Sequence, residues 1–410
     1  MNGQLLKKYA ELLIKHGVNL QKGEMLTISA PIIAEDLVVE AVKFAYKSGA
    51  KNVSVMWNDD KITRLAYKHE KKQVLADVPE WKVMQRNYIM EKKSAYLVII
   101  SDDPEIFKGI KTEKITAARR AASKAFAAFR EATSSNKTRW CIGSYPNKSW
   151  AKKMFPELSS SSALKKLWEY ITVTMRLDKE DSLAAWREHQ NNLQRRCVFL
   201  NNAGIKKFHY KNSIGTDFTV GLPEDYIFCG GSEKGTLDGI DFTANMPTEE
   251  VFSCPDRLSA EGKLVAAMPL VRNGSIIKNF EIDFHEGRIV DFKAEEGYEN
   301  LKSIIETDEG SHYLGEIALV GFDSPIRSLK TLFYETLFDE NASCHFAMGD
   351  CYPNCVKGGD RMTEEELKNA GLNSSLEHVD FMVGTEDLSI TAETADGKVL
   401  EIFKNGKWTV

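Results

Sequence analysis

The segment HVDFMVG near the C-terminus sets His378 and Asp380 two apart among apolar residues. Strand side chains alternate, so His378, Asp380 and Met382 would share one face and Val379, Phe381 and Val383 the other. An imidazole and a carboxylate aimed together from an apolar element cost free energy unless something compensates them, and a divalent cation compensates both. Groups of the same kind stand at the ends of other short segments: Glu249 and Glu250 in MPTEEVF, Glu316 at the start of an apolar run in GEIALV, and Asp339, Glu340 and His345 in DENASCH. Together they offer more oxygen and nitrogen donors than one tetrahedral zinc takes. They suit two adjacent ions bridged by a carboxylate and a water, an arrangement that activates water for hydrolysis.

Each group also has a plainer reading. Glu316 can be a solvated strand end, His345 a hydrogen-bonded core histidine, Glu249 and Glu250 a pair with one member exposed, and His378 with Asp380 a buried couple. A rival metal site would use Cys344, His345, Cys351 and Cys355 for a structural zinc, although the side chains of neighbours such as Cys344 and His345 tend to point apart. Glycines 230, 231, 235 and 239 fit neither GxGxxG after a strand nor GxxxxGK[ST] and read as a loop. The serines at 159 to 162 read as a turn and helix cap, with no GxSxG nearby.

The elements that must position these groups fall into two textures. Up to about residue 198, helical patterns alternate with strands: a helix near 2 to 16, MLTISA, a helix from Ala34 to Ser48, NVSVMW, helical stretches near 62 to 76 and 81 to 93, AYLVIIS, an alanine-rich helix, and TRWCIG. Strands separated by helices imply a mainly parallel sheet covered on both faces. Helices follow from about Ser162 to Met175 and from Ser182 to Arg196. After residue 199 helical periodicity fades, glycines multiply, and short alternating segments dominate. Turn signals stand at Asn273-Gly274 and Asp396-Gly397. One helix is expected near Thr363 to Asn369, opened by Thr363 and Glu366 at capping-box spacing. The fold class is therefore an α/β N-terminal domain with a mainly parallel sheet, residues 1–198, and a mainly antiparallel α+β C-terminal catalytic domain, residues 199–410.

With 410 residues the chain exceeds one ordinary core. A net charge of −5 without a basic run argues against nucleic-acid binding. No window of about 18 apolar residues is present, so no membrane span is expected. Seven dispersed cysteines and no secretory h-region read as a reduced, cytoplasmic chain.

Taken in order, MPTEEVF, GEIALV, TLFDENASCHFAMG, GLNSSLEHVDFMVG and DGKVLEIFKNGKW resemble the thermophilic aminopeptidase family, the aminopeptidase S, aminopeptidase T and PepS group of dinuclear metallopeptidases. The likeness spans the whole chain and is densest from Met246 to Lys407. It implies a cytosolic exopeptidase that releases N-terminal residues from short peptides with two divalent ions per chain, cobalt, zinc or magnesium, and a homodimer whose sites face an enclosed space. Carried onto matching positions, the implied ligands are Glu250, Glu316, Glu340, His345, His378 and Asp380. Tyr352 matches a tyrosine close to the metals and is implied as an oxyanion donor, and Glu249 or Glu250 is the expected proton carrier. The competing readings are another metal-dependent amidase, or a nonhydrolytic protein that binds a small ligand and carries a structural metal.

Overall fold

Helix periodicity and β-branched runs produce the expected first layer. Strands β1 (Met25–Pro31), β2 (Asn52–Asn58), β3 (Ala95–Ile100) and β4 (Trp140–Ser144) form a four-stranded sheet in the order β2-β1-β3-β4, every pair parallel. Leu26, Ile28, Leu97 and Ile99 are buried along its centre, and helix Glu35–Lys47 presents Leu37, Val38, Ala41 and Ala45 at helical spacing. The first helix spans Gly3–Leu12 and continues as one π turn, Leu13–Gly17. The computed structural model describes residues 3–272 and 275–410, so the Asn273-Gly274 turn lies outside the described residues; the segments beside it, Leu270–Arg272 and Ser275–His285, pair antiparallel.

The chain forms two compact units: Met1–Arg187 with Ser232–Pro247, and Glu188–Gly231 with Thr248–Val410. This differs from a single division at 198/199. A side chain and the edge of a sheet explain why residues 232–247 join the first unit. The amide of Ile142 in β4 donates to Ala244 O at 2.7 Å, and Met246 N donates back to Ile142 O at 3.0 Å, so the segment adds a parallel bridge to the open edge. Buried Arg139 is paired to Glu24 and, at 2.8 Å, to Asp238 within that segment. Such non-local partners leave no local mark in sequence.

The second unit is built from two antiparallel sheets. One has nine strands, running through Ser275–His285, Glu261–Val265, Asp217–Gly221, Ile205–Lys211, Ser389–Thr394 and Val399–Lys404. The other has five, in the order His378–Met382, His345–Gly349, Leu314–Leu319, Val251–Ser253 and Cys229–Gly230. Aromatic rings join them in one core: Phe346 of the smaller sheet lies 5.0 Å from Tyr210 and 5.3 Å from Phe218 of the larger, and Phe381 lies 5.9 Å from Phe280. The expected capping box is present on helix Glu364–Asn369, with Thr363 and Glu366 reciprocally bonded. Gly397, at φ +79°, turns the hairpin between Ser389–Thr394 and Val399–Lys404. A further helix, Tyr298–Ile305, also interrupts the strand-rich half and buries Leu301, Ile304 and Ile305.

Candidate metal centre

Alternation along three adjacent strands separates core from site. Val379 and Phe381 enter the aromatic core, which leaves His378 and Asp380 on the opposite face; on the next strand Phe346 and Met348 enter the core, which leaves His345 and Ala347 with them. The third strand needs a correction to join this pattern. Leu314, Ile317 and Leu319 are all core residues, which simple alternation cannot achieve together with a site-facing Glu316. A register irregularity between Leu314 and Glu316 solves this by inserting Gly315, where a Cβ would stand 2.1 Å from Asp350 O. Glu316 and Asp380 are then both register partners of Ala347, one on each side, and only a methyl group stands between them.

The donor atoms converge. One ligand atom each from Glu316, His345 and Asp380 lie within 4.8 Å of one another. His345 Nε2 is 3.4 Å from Glu250 Oε2 and 4.0 Å from Glu316 Oε2, and His378 Nε2 is 3.2 Å from both Glu316 Oε2 and Asp380 Oδ1. Glu340, in the short turn Glu340–Ala342, shares the electrostatic environment of Asp380, Glu250 and Glu316. Burial, joined by those three carboxylates, pushes the Glu340 carboxyl well above its ordinary range, and burial likewise raises Glu316. So many acids cannot be ionised together in a dry site without cations.

The imidazoles are oriented for ligation. His345 Nδ1 faces Ser343 O at 3.2 Å and His378 Nδ1 faces Asp350 O at 2.7 Å, so each donates its Nδ1 proton to the backbone and turns Nε2 toward the carboxylates, the nitrogen that a cation among them would take as a ligand. Donor types, burial and tautomers all fit divalent cations, and Glu250, Glu316, Glu340, His345, His378 and Asp380 are the residues that could hold them.

The adjacent glutamates diverge. Glu250 turns to His345, whereas Glu249 Oε2 lies 3.5 Å from His189 Nε2 on helix Ser182–Asn202, and the Glu249 amide donates to Asn341 Oδ1 at 2.7 Å. Asp339 takes no place among the donors: it accepts from the amides of Phe333 at 2.7 Å and Glu335 at 3.2 Å. Tyr352 is 37 % exposed, with its ring 5.1 Å from that of His378 and 5.6 Å from that of Phe252. The rival set of Cys344, His345, Cys351 and Cys355 does not assemble, because Cys344 Sγ turns to the backbone of Val320, at 3.3 Å from its oxygen. Asn341, Ala347 and the two carbonyl partners of the imidazoles escaped sequence reasoning. Only the Gly315-Glu316 dipeptide carried a usable signal, since glycine inside a strand marks a bulge.

Over residues 2–408 the chain matches the thermophilic metalloprotease family (M29). It is 42 % identical over 405 residues to aminopeptidase AmpS of Bacillus subtilis (strain 168), covering 99 % of this chain and 98 % of that one. To aminopeptidase T of Thermus thermophilus it is 35 % identical over 405 residues, with the same coverage. The solved structure of wild-type AmpT from Thermus thermophilus superposes with a TM-score of 0.93 at 34 % identity, over 99 % of both chains.

Proposed function

The chain belongs to the thermophilic metalloprotease family M29 and is a peptide hydrolase, and on that premise we propose that it releases N-terminal residues from short peptides with two divalent ions. The observation that carries this reading is the convergence of Glu250, Glu316, His345, His378 and Asp380 with both Nε2 atoms turned inward. These five and Glu340 would hold the ions, which are cobalt, zinc or magnesium. When bound, such ions lower the pKa of a water and polarise the scissile carbonyl.

The remaining chemistry belongs to the chain. Glu316 lies between the two imidazoles and is the carboxylate shared by both halves of the site. The surrounding acids retain a cationic α-amine, which gives exopeptidase polarity, so a peptide with a blocked N-terminus should not be cleaved. The Tyr352 hydroxyl donates to the carbonyl oxygen as negative charge gathers there. Of the paired glutamates, Glu250 faces the donor cluster and is the one positioned to pass a proton to the leaving amine.

Metal analysis combined with release of leucine from a dipeptide tests the reading. His378→Ala and Asp380→Ala should each lose bound metal and chelator-sensitive release, and full retention of both would sink the assignment. Tyr352→Phe should keep its metal and lose roughly 100-fold in kcat; unchanged turnover removes its role. Anomalous scattering from cobalt-soaked crystals should give two peaks roughly 3.5 to 4 Å apart.

A further inference from the structure

The second unit also holds four thiols that this chemistry does not use. Cys229 lies in the edge strand Cys229–Gly230, Cys254 directly follows strand Val251–Ser253, and Cys351 and Cys355 stand on either side of Tyr352, Pro353 and Asn354. They touch in series. The side chain of Cys254 meets those of Cys351 and Cys355, and Cys355 also meets Cys229. Cys254, Cys351 and Cys355 are buried, and Cys229 is partly exposed. Cys254, Cys351 and Cys355 pack in one small apolar cluster with Val356 and Leu372, and two of the sulfurs face backbone oxygens: Cys254 Sγ lies 3.4 Å from Tyr352 O, and Cys229 Sγ lies 3.7 Å from Asn354 O.

Two observations decide what such an array can do. A tetrahedral metal cage needs sulfurs converging on one point. Among the described residues, Glu316, His345 and Asp380 form the trio whose donors converge within 4.8 Å, and no trio of these sulfurs does. The contacts instead run in a line, Cys229 to Cys355 to Cys254 to Cys351, with an outer and an inner pair at its two ends. A wholly buried thiol is ordinarily inert, but here the series begins at a residue that solvent reaches.

We propose that Cys229, Cys254, Cys351 and Cys355 are a reversible oxidation site that accepts peroxide at Cys229 and stores the oxidation as disulfides. The Cys229 thiolate attacks one peroxide oxygen, the O–O bond breaks, and the departing hydroxide takes up one proton and leaves as water, so that Cys229 becomes a sulfenic acid. The Cys355 thiol attacks that sulfur, the S–S bond forms, and the hydroxyl departs with the thiol proton as a second water. Two thiols are oxidised and one hydrogen peroxide is reduced. Exchange then carries the bond inward without further oxidant: Cys254 displaces Cys229 from Cys355, and Cys351 displaces Cys355 from Cys254. This leaves Cys254–Cys351 closed and the outer pair free to consume a second peroxide.

The inner bond reaches the reaction. It removes the S–H that faces the Tyr352 carbonyl and ties down the residue preceding Tyr352 in the chain. This consequence rests on the role proposed for Tyr352, whereas the disulfides themselves do not.

The metal-loaded enzyme is titrated with hydrogen peroxide, alkylated under denaturing conditions and mapped by peptide mass spectrometry. Free thiols should fall from seven by two and then by two more, with cross-links 229–355 and 254–351. Dipeptide hydrolysis should fall at least tenfold in step with the 254–351 link, and dithiothreitol should restore it. Cys229→Ser, a change at a partly exposed position, should keep basal activity while slowing both cross-linking and inactivation. Sulfinic acid at Cys229 without cross-links, or links that use Cys141, Cys197 or Cys344, would overturn the proposal. Correct links that leave hydrolysis unchanged would overturn the coupling to Tyr352, and the Tyr352→Phe measurement then tells whether the coupling or the role of Tyr352 failed.

Discussion

Asn341 shows how much of the centre depends on a neutral side chain. It is fully buried; its Oδ1 accepts from Glu249 N at 2.7 Å, and its Nδ2 donates to Leu337 O at 3.1 Å and to the Glu340 carboxylate at 3.3 Å. One amide thereby fastens the Glu249-Glu250 segment to the Glu340 turn. Asn341→Leu keeps the volume but withdraws these hydrogen bonds, at a cost of about 1–3 kcal/mol of stability. Metal affinity should fall roughly tenfold to a hundredfold, as for other changes that disturb the orientation of ligands. Calorimetric titration of the metal-free protein with zinc measures this, and an unchanged Kd in a folded variant would show that the clamp does not hold the ligands.

The five-stranded sheet works as a sorter of chemistry at the scale of the element. Its alternation sends Phe346, Met348, Val379 and Phe381 to the core and His345, His378 and Asp380 to the site. The irregularity at Gly315 brings Glu316 into the same row. That row, Glu316, Ala347 and Asp380, spans three strands spaced about 4.8 Å apart, so the two carboxylates can lean together only over a small residue. Ala347→Leu should fill the space between them and abolish metal binding, while overpacking costs about 1–3 kcal/mol of stability. Circular dichroism with metal analysis checks both halves of the expectation; a folded variant that still binds two ions would show that the gap is not needed.

Across the whole molecule, the two units should respond differently to loss of metal. Glu316 and Glu340 sit among other buried acids, so withdrawing cations leaves repulsion that the fold must carry. A ligand present at a thousand times its Kd stabilises the folded state by about 4 kcal/mol, so chelation should lower the melting temperature by several degrees. Hydrogen exchange should then quicken in Leu314–Leu319, His345–Gly349 and His378–Met382. The strands Met25–Pro31 and Ala95–Ile100 of the parallel sheet should be unaffected. Uniform quickening across both units would contradict a metal contribution local to the second.

The sequence by itself determined the change of texture near residue 199, the parallel sheet, the capping box at Thr363 and the pairing of His378 with Asp380. All of these depend on residues close together in the chain, where periodicity and spacing act directly. The motifs in order also carried the resemblance to the family. Tertiary structure alone decided that residues 232–247 return to the edge of the first sheet, that Glu250 rather than Glu249 faces the donors, and that Asp339 caps a turn. It alone placed Ala347 between two carboxylates and brought four cysteines into one series. Apart from Asp339, held by amides four and six residues away, these outcomes are set by partners distant in sequence, such as Arg139 for Asp238 or His189 for Glu249. Local propensity cannot encode a contact whose other half lies a hundred residues away; register and packing choose it only once the sheets have formed.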